Sequence, residues 1–154
     1  CACLVGSEMC IRDSRYGMAA DWRMVNRSIN PVALGIIAAQ YFKAVGIYWY
    51  DGCAIVHTDT RDAKATWLCD APRHYPSTTY LKFILPTIRR GCTGDANRAA
   101  TKMLQRLLGL TPDGIFGEGT ENALLKAQEA HGLAVDGICG PASWKAISGA
   151  SKYL

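Results

Sequence analysis

The sequence predicts an α+β protein in two parts, and three features of its 154 residues indicate this. Residues 45–59 form two β-rich runs around an Asp-Gly pair, which is typical of a hairpin. Residues 95–150 hold three segments with apolar residues at helical spacing. A turn pattern also occurs twice in this second part. Strands and helices are therefore segregated along the chain, as in α+β folds, and we expect an antiparallel sheet in the front part.

The front part begins with a helix and continues into the hairpin. We expect the apolar segment PVALGIIAAQYFKA (31–44) to form a mostly buried helix. A two-residue loop in the following hairpin pairs Gly46 with His57. Because His57 then lies opposite a glycine, this register predicts space beside its ring. Strand alternation places four side chains on one face, namely Cys53, Ile55, His57 and Asp59.

The second part carries the repeat. Helices are predicted over 95–108 and 120–131, and a third begins at Pro141, a residue suited to a first helical position. Residues 113–123 and 136–146 share the pattern D-G-I-x-G-x-x-[TS]-x-x-A. Each copy reads as a tight turn, one buried apolar residue, a second glycine and a hydroxyl at a helix start.

Two copies of this turn beside an L-Q-x-L-L helix make residues 95–150 similar to the peptidoglycan-binding domain of cell-wall hydrolases. The resemblance implies a three-helix module that holds a catalytic domain on an insoluble wall. It also implies that the turns line a shallow groove for wall peptide or glycan. The substrate-binding residues implied are Asp113, Gly114, Phe116, Asp136, Gly137 and Trp144.

The front part resembles the zinc peptidases related to D-alanyl-D-alanine carboxypeptidases and phage endolysins. The pattern G-I-Y-x(8)-H-T-D-T-R contains His57, and Trp67 follows it. The family's other motif, H-x-x-G-x-A-x-D, is matched by G-x-A-x-D ending at Asp21, with Ser14 at the histidine position. The resemblance implies Zn²⁺ ligands at Asp21 and His57, with the third missing at Ser14. Such a site leaves a coordination position for a water whose pKa the metal lowers.

The general base stays open between Asp59 and Asp51, because Ala54 occupies the position where relatives often carry an acidic residue. Asp59 can instead orient the imidazole. Arg61 can bind a substrate carboxylate, since its guanidinium matches one. It can equally form a surface ion pair with a neighbour such as Asp62.

The chain's first residues differ from both parts. The stretch MCIRDS, with LVGSE before it, is similar to the translation of a sequencing-adapter end. We expect residues 1–14 to be adapter read-through on a truncated gene. The predicted organisation is then a zinc peptidase domain (15–85, truncated at its start), a linker (86–94) and the peptidoglycan-binding domain (95–150).

Charge and composition limit the classes of binding partner and of activity that the sequence allows. The formal net charge is +4, and residues 15–94 carry ten Lys/Arg against five Asp/Glu, which suits an anionic polymer such as the cell wall. The basic residues are scattered, which disfavours nucleic acid. No apolar run reaches the roughly 18 residues of a membrane helix, so no membrane partner is expected. A lysozyme-like glycosidase needs paired acidic residues, and residues 15–94 contain no glutamate.

The sequence therefore predicts a monomeric peptidoglycan hydrolase that uses Zn²⁺ to cut a peptide amide bond. It would act on the wall in the periplasm or outside the cell. Because no signal peptide is visible, we expect phage-type release from the cytoplasm. The alternative is a catalytically inactive wall-binding protein, since Ser14 replaces the zinc histidine. Seven cysteines without a C-x-x-C pair predict mostly free thiols.

Overall fold

A computed structural model describes residues 19–23 and 29–154. In chain order its elements are β1 (Ala19–Trp22), α1 (Pro31–Ala38), β2 (Ala44–Tyr50), β3 (Cys53–Asp59), β4 (Ala65–Cys69), α2 (Asp95–Leu107), α3 (Glu118–Ala130), α4 (Pro141–Ser148) and a 3₁₀ helix (Ala150–Lys152). A sheet part thus precedes a helical part, which confirms the α+β prediction. None of the helices in the described ranges has the length and apolar character needed to cross a membrane.

Helix α1 has a well-defined start and ends earlier than the sequence predicts. The Asn30 side chain accepts a hydrogen bond from Ala33 N at 2.9 Å, and Pro31 occupies the first turn. The helix ends at Ala38, because Ala44 is already paired in the sheet and the chain must turn between them. Asn30 also donates from Nδ2 to Ser148 O at 2.8 Å, so the start of α1 is bonded to the end of α4.

The four strands lie in the order β1-β3-β2-β4 and form a mixed sheet. β3 is antiparallel to both β1 and β2, and its pairing with β2 is the predicted hairpin, in which Gly46 lies opposite His57. β4 runs parallel to β2, so the expectation of a purely antiparallel sheet is wrong for this strand. Because β1 and β2 occupy the two sides of β3, β4 joins the sheet at the outer edge of β2. The chain reverses direction after β2 and again after β3, so β4 runs in the same direction as β2.

The hydrophobic core is continuous across both parts of the chain. It includes buried residues of α1, β2, β3 and β4 together with residues of all three later helices. Among its fully buried members are Ile36, Ile47, Leu68, Met103, Leu104 and Trp144. The helical part is therefore packed against the sheet part over a shared apolar surface.

Residues 86–94, predicted to be a linker, are part of this packing. Ile88 is fully buried and exchanges two backbone hydrogen bonds with Cys139, at 2.8 and 3.2 Å. Pro86 O accepts a hydrogen bond of 2.9 Å from the indole of Trp144. The segment thus joins the two parts through specific contacts.

The cysteines of the described ranges are free thiols, as the sequence predicts for them: Cys53, Cys69, Cys92 and Cys139. Burial raises the pKa of the Cys69 thiol to about 12. That thiol is therefore protonated at neutral pH, and it is not a reactive nucleophile. The other three cysteines lie outside the described residues.

Candidate functional site

Asp21 and His57 come together on neighbouring strands. They are directly opposite each other in the antiparallel pair of β1 and β3, which puts both side chains on the same face. Asp21 Oδ1 lies 2.8 Å from His57 Nδ1. The imidazole is almost fully buried, whereas 44% of the Asp21 side chain is exposed. The two predicted metal ligands thus form a pair at the edge of the sheet.

The indole of Trp67 fills the space predicted beside His57. Gly46 lies between these residues in the sheet, opposite His57 on one side and Trp67 on the other. A Cβ at Gly46 would lie 2.3 to 2.5 Å from three indole atoms, so only glycine fits under this ring. The His57 and Trp67 ring centroids are 5.6 Å apart. The lack of a side chain at Gly46 therefore makes room for the Trp67 indole beside His57.

Asp59 is a buried carboxylate held by Arg61. The Arg61 Nε donates to both carboxylate oxygens, at 2.7 and 2.9 Å, and the backbone N–H of Arg61 donates at 3.1 Å. Burial acts to raise the pKa of Asp59, but the hydrogen bonds and charge of Arg61 outweigh it and lower this pKa. Asp59 Oδ2 lies 3.6 Å from His57 Nε2, so the carboxylate faces the second ring nitrogen.

Two other sequence candidates, Arg61 and Asp51, form ion pairs within the protein. For Arg61 this is one of the two roles that the sequence left open, with Asp59 in place of Asp62. Arg61 is paired with Asp59, so its guanidinium is engaged within the protein rather than turned to a substrate carboxylate. Asp51 lies in the hairpin turn, 97% exposed, and accepts a hydrogen bond of 2.9 Å from Arg106. The length of β3 separates Asp51 from His57 by roughly 20 Å. The structure therefore does not bring Asp51 to the Asp21–His57 pair.

The residues present fit part of a zinc site. Within residues 19–23 and 29–154, no three His, Cys, Asp or Glu side chains are grouped to hold a metal ion. Around tetrahedral zinc with bonds of about 2.0–2.1 Å, neighbouring donor atoms stand about 3.3 Å apart. The 2.8 Å pair of Asp21 and His57 would have to open only slightly. Ser14, and all of residues 1–14, lie outside the described residues.

An aromatic wall of Trp67, Tyr48 and Tyr75 continues from the histidine across the same face, and of these Tyr75 lies outside the sequence pattern around His57. The indole of Trp67 donates to Tyr48 Oη at 3.0 Å, and the Tyr48 and Tyr75 rings meet edge-on with centroids 6.1 Å apart. The strand alternation of β2 could have indicated Tyr48, since it places this residue on the face of Gly46. Tyr75 comes from a loop, for which no periodic signal exists.

The first Asp-Gly turn of the helical part is organised by a buried glutamine. Gln105 Nε2 donates to Asp113 Oδ1 at 2.7 Å and to Ile115 O at 3.1 Å. The Gln105 carbonyl accepts from Gly114 N at 2.9 Å. The Thr120 hydroxyl accepts from Gln105 Nε2 at 3.0 Å and lies 3.3 Å from Ile115 O. One side chain thus fixes the turn and the start of α3.

The second turn repeats this network. Gln128 Nε2 donates to Asp136 Oδ1 at 2.9 Å and to Ile138 O at 3.0 Å. The Gln128 carbonyl accepts from Gly137 N at 3.0 Å. The Ser143 hydroxyl accepts from Gln128 Nε2 at 3.1 Å. Gln105 is the glutamine of the L-Q-x-L-L pattern, and the spacing could also have indicated Gln128, because each glutamine lies 8 residues before the Asp of its turn.

The predicted wall-binding residues divide into surface and core positions. Asp113 and Asp136 are exposed, and hydrogen bonds to their carboxylates from the backbone of the turn and from glutamine lower the pKa of each. Gly114 and Gly137 have φ of 78° and 69°, which favours glycine. Phe116 and Trp144 are buried in the hydrophobic core, so they occupy packing positions rather than exposed binding positions.

Comparison with known proteins identifies the second half of this architecture. Residues 93–147 match the family model of a peptidoglycan binding domain. This match confirms the binding domain predicted from the two turns, and it supports peptidoglycan as a partner and association with the cell wall. The chain thus carries a wall-binding domain packed against a mixed sheet. No curated protein and no solved structure is significantly similar to the chain.

Proposed function

We propose that the protein is a cell-wall hydrolase of the zinc-peptidase type, which cleaves an amide bond in the peptide of peptidoglycan. The observation that supports this proposal is the pairing of Asp21 with His57 at 2.8 Å on neighbouring strands. These are the two described residues that the sequence motifs assign as metal ligands.

The residues around the pair have roles that fit this chemistry. Zinc held by Asp21, His57 and a third ligand would supply a water of lowered pKa and polarise the scissile carbonyl. Asp59 Oδ2 lies 3.6 Å from His57 Nε2, so with zinc bound at Nδ1 the carboxylate would face the protonated ring nitrogen. In the chain as it stands Nδ1 donates to Asp21 Oδ1 at 2.8 Å, and that proton would be replaced by zinc between the two residues. Asp59 therefore orients the imidazole.

Asp59 is poorly suited to be the general base. Its pKa is lowered, and Arg61 engages both of its oxygens, so it accepts a proton less readily than an ordinary carboxylate. We propose that Arg61 acts through Asp59, as a positioning residue, rather than on the substrate.

The peptidoglycan-binding domain would hold the sheet on an insoluble substrate. Its effect is to raise the local concentration of wall peptide around the Asp21–His57 pair without any contribution to bond cleavage. Because wall binding and zinc binding would depend on different parts of the chain, mutations should be able to remove one without the other.

The experiment compares the chain as it stands with Ser14→His, because Ser14 occupies the first histidine position of the zinc motif. We expect Ser14→His to bind about one zinc per chain and to clear a suspension of purified cell walls. Adding His57→Ala to that variant should remove both gains. Adding His131→Ala, which removes an exposed histidine of the binding domain, should leave both unchanged. The zinc-peptidase proposal is wrong if Ser14→His gains neither zinc nor activity.

A second candidate is a wall-binding protein without catalysis. The observation that favours it is that the described residues supply two zinc ligands and no third. This candidate predicts that the chain as it stands sediments with purified walls but leaves their turbidity unchanged. Clearing by the chain with Ser14 in place would contradict it.

A further inference from the structure

Lys102 of α2 has two different contacts at its two ends. Its aliphatic stem lies under the first Asp-Gly turn, since a Cβ at Gly114 would be 3.2 Å from Lys102 Cε and 3.3 Å from Cγ. Its ammonium is 2.7 Å from Asp70 Oδ2, just after β4 in the sheet part. A single side chain therefore contacts both the wall-binding turn and the sheet part.

The second copy of the repeat shows that the charge is not needed to support the turn. The residue at the equivalent place is Leu125, whose Cδ2 would be 3.7 Å from a Cβ at Gly137. The Glu121 side chain lies slightly nearer, with Cγ at 3.5 Å, so Leu125 and Glu121 pack beneath the second turn without any ammonium. The Lys102 ammonium is an addition to the first copy, and its partner is Asp70.

Asp70 connects Lys102 to the loop beside the aromatic wall. The Asp70 side chain is 2% exposed, and its other oxygen is hydrogen-bonded to His74 Nδ1. Tyr75 follows directly and meets the Tyr48 ring, which leads to Trp67 and His57. Residues 70–75 therefore lie between the Lys102 ammonium and the candidate site.

The conformation of this loop depends on those contacts. Arg73 has a φ of 61° and is the one non-glycine residue with a positive φ in the described ranges. Such a conformation is unfavourable for a residue with a side chain and persists when surrounding contacts hold it. The bonds of Asp70 to Lys102 and His74 bracket this position.

We propose that Lys102 is a positioning residue that couples the first wall-binding turn to the loop 70–75 beside the Asp21–His57 pair. A wall fragment bound at the turn shifts the Lys102 stem, and the ammonium transmits this shift to Asp70. By linkage, the loop conformation then affects wall affinity to the same extent. The coupling rests on the wall-binding part of the proposed function and is independent of zinc.

The experiment follows backbone amide shifts of the full chain by NMR while soluble muropeptides, released from purified peptidoglycan, are added. In the chain as it stands, we expect shifts at residues 113–117 and also at 70–75. Lys102→Met keeps a stem beneath Gly114 but removes the ammonium. We expect it to retain the turn shifts and to lose the loop shifts by at least fivefold.

Three further variants make the result specific. Asp70→Asn breaks the same ion pair from the sheet side and should reproduce the loss, whereas Lys102→Arg should retain most of the coupling. Lys126→Met removes one positive charge from α3 and should change nothing. The coupling is refuted if the loop amides stay still while the turn shifts, or if they shift fully in both Lys102→Met and Asp70→Asn. Absence of any turn shift would refute wall binding at this turn, and the coupling with it.

Discussion

The two Asp-Gly turns of the binding domain have the same hydrogen-bond network but different surroundings. In both, a buried glutamine joins the Asp carboxylate, the Gly N–H and a hydroxyl of the next helix. The buried residue two positions after the turn glycine differs, since Phe116 in the first copy corresponds to Cys139 in the second. The residue beneath the glycine differs too, as Lys102 corresponds to Leu125. The shared network defines the turn, while the differing residues adapt each copy to its neighbours.

The largest difference is expected from truncating the apolar residues. Phe116→Ala removes a buried ring and should lower the free energy of unfolding by about 3–5 kcal/mol. Cys139→Ala removes only one buried sulfur atom and should cost about 1 kcal/mol. Urea denaturation monitored by circular dichroism measures both. Equal losses would show that Phe116 is not the main apolar support of the first turn.

Replacing the glutamines should show where the copies agree. Gln105→Leu and Gln128→Leu each leave a buried Gly N–H without its acceptor, while the Asp carboxylate keeps its bond from the turn backbone, so each should cost about 1–3 kcal/mol. We expect the two losses to agree within about 1 kcal/mol, because the bonds from each glutamine to the Asp carboxylate, the Gly N–H and the helix hydroxyl are the same in both copies. Denaturation midpoints of the two variants test this. A loss confined to one copy would contradict the equivalence of the turns.

Alanine substitutions of the two turn glycines, Gly114 and Gly137, should again destabilise the two copies by different amounts, but the difference should be smaller. Both have a positive φ, so alanine should cost about 1 kcal/mol at either position. At Gly114 a Cβ would also lie 3.2 Å from Arg98 O, a backbone atom that cannot easily move. Gly114→Ala should therefore be the more destabilising variant, by thermal unfolding and by loss of wall binding in a pelleting assay. The reverse order would contradict the packing described beneath the first turn.

The smallest expected effect is the pH dependence of stability that arises from the ion pair of Asp70 with Lys102. Burial acts to raise the pKa of Asp70, but its bonds to Lys102 and His74 outweigh this and lower it below the ordinary 3.8. The ionised carboxylate therefore stabilises the fold above about pH 4, and this contribution is lost as pH falls through the lowered pKa. The stability gap between the parent chain and Asp70→Asn should shrink between about pH 5 and about pH 3. A constant gap would show that folding does not lower the pKa of Asp70.

Local patterns allowed much of this structure to be predicted. The Asp-Gly hairpin determined the pairing of Gly46 with His57, and the repeat indicated the three helices of the binding domain. Both depend on residues close together in sequence. The parallel pairing of β4 and the bond from Lys102 to Asp70 depend on chain segments far apart, for which one sequence carries no periodic signal.

The candidate site was predictable only in part, for the same reason. Motif spacing identified Asp21 and His57, and the structure brings them together. Spacing also suggested Asp51, which the extended strand carries to the opposite end of the sheet. The engagement of Arg61 by Asp59 depends on a burial that sequence alone does not reveal.

The most direct test of a zinc site on a wall-binding scaffold is the amount of zinc that the protein carries into a pellet of purified cell walls. Ser14→His should bring about one zinc per sedimented chain, and the same variant with His57→Ala should sediment equally well without zinc. This result would assign zinc to the sheet part and wall binding to the helical part. Sedimentation of Ser14→His without zinc would contradict the metal site. Failure of the chain to sediment would contradict the wall-binding assignment.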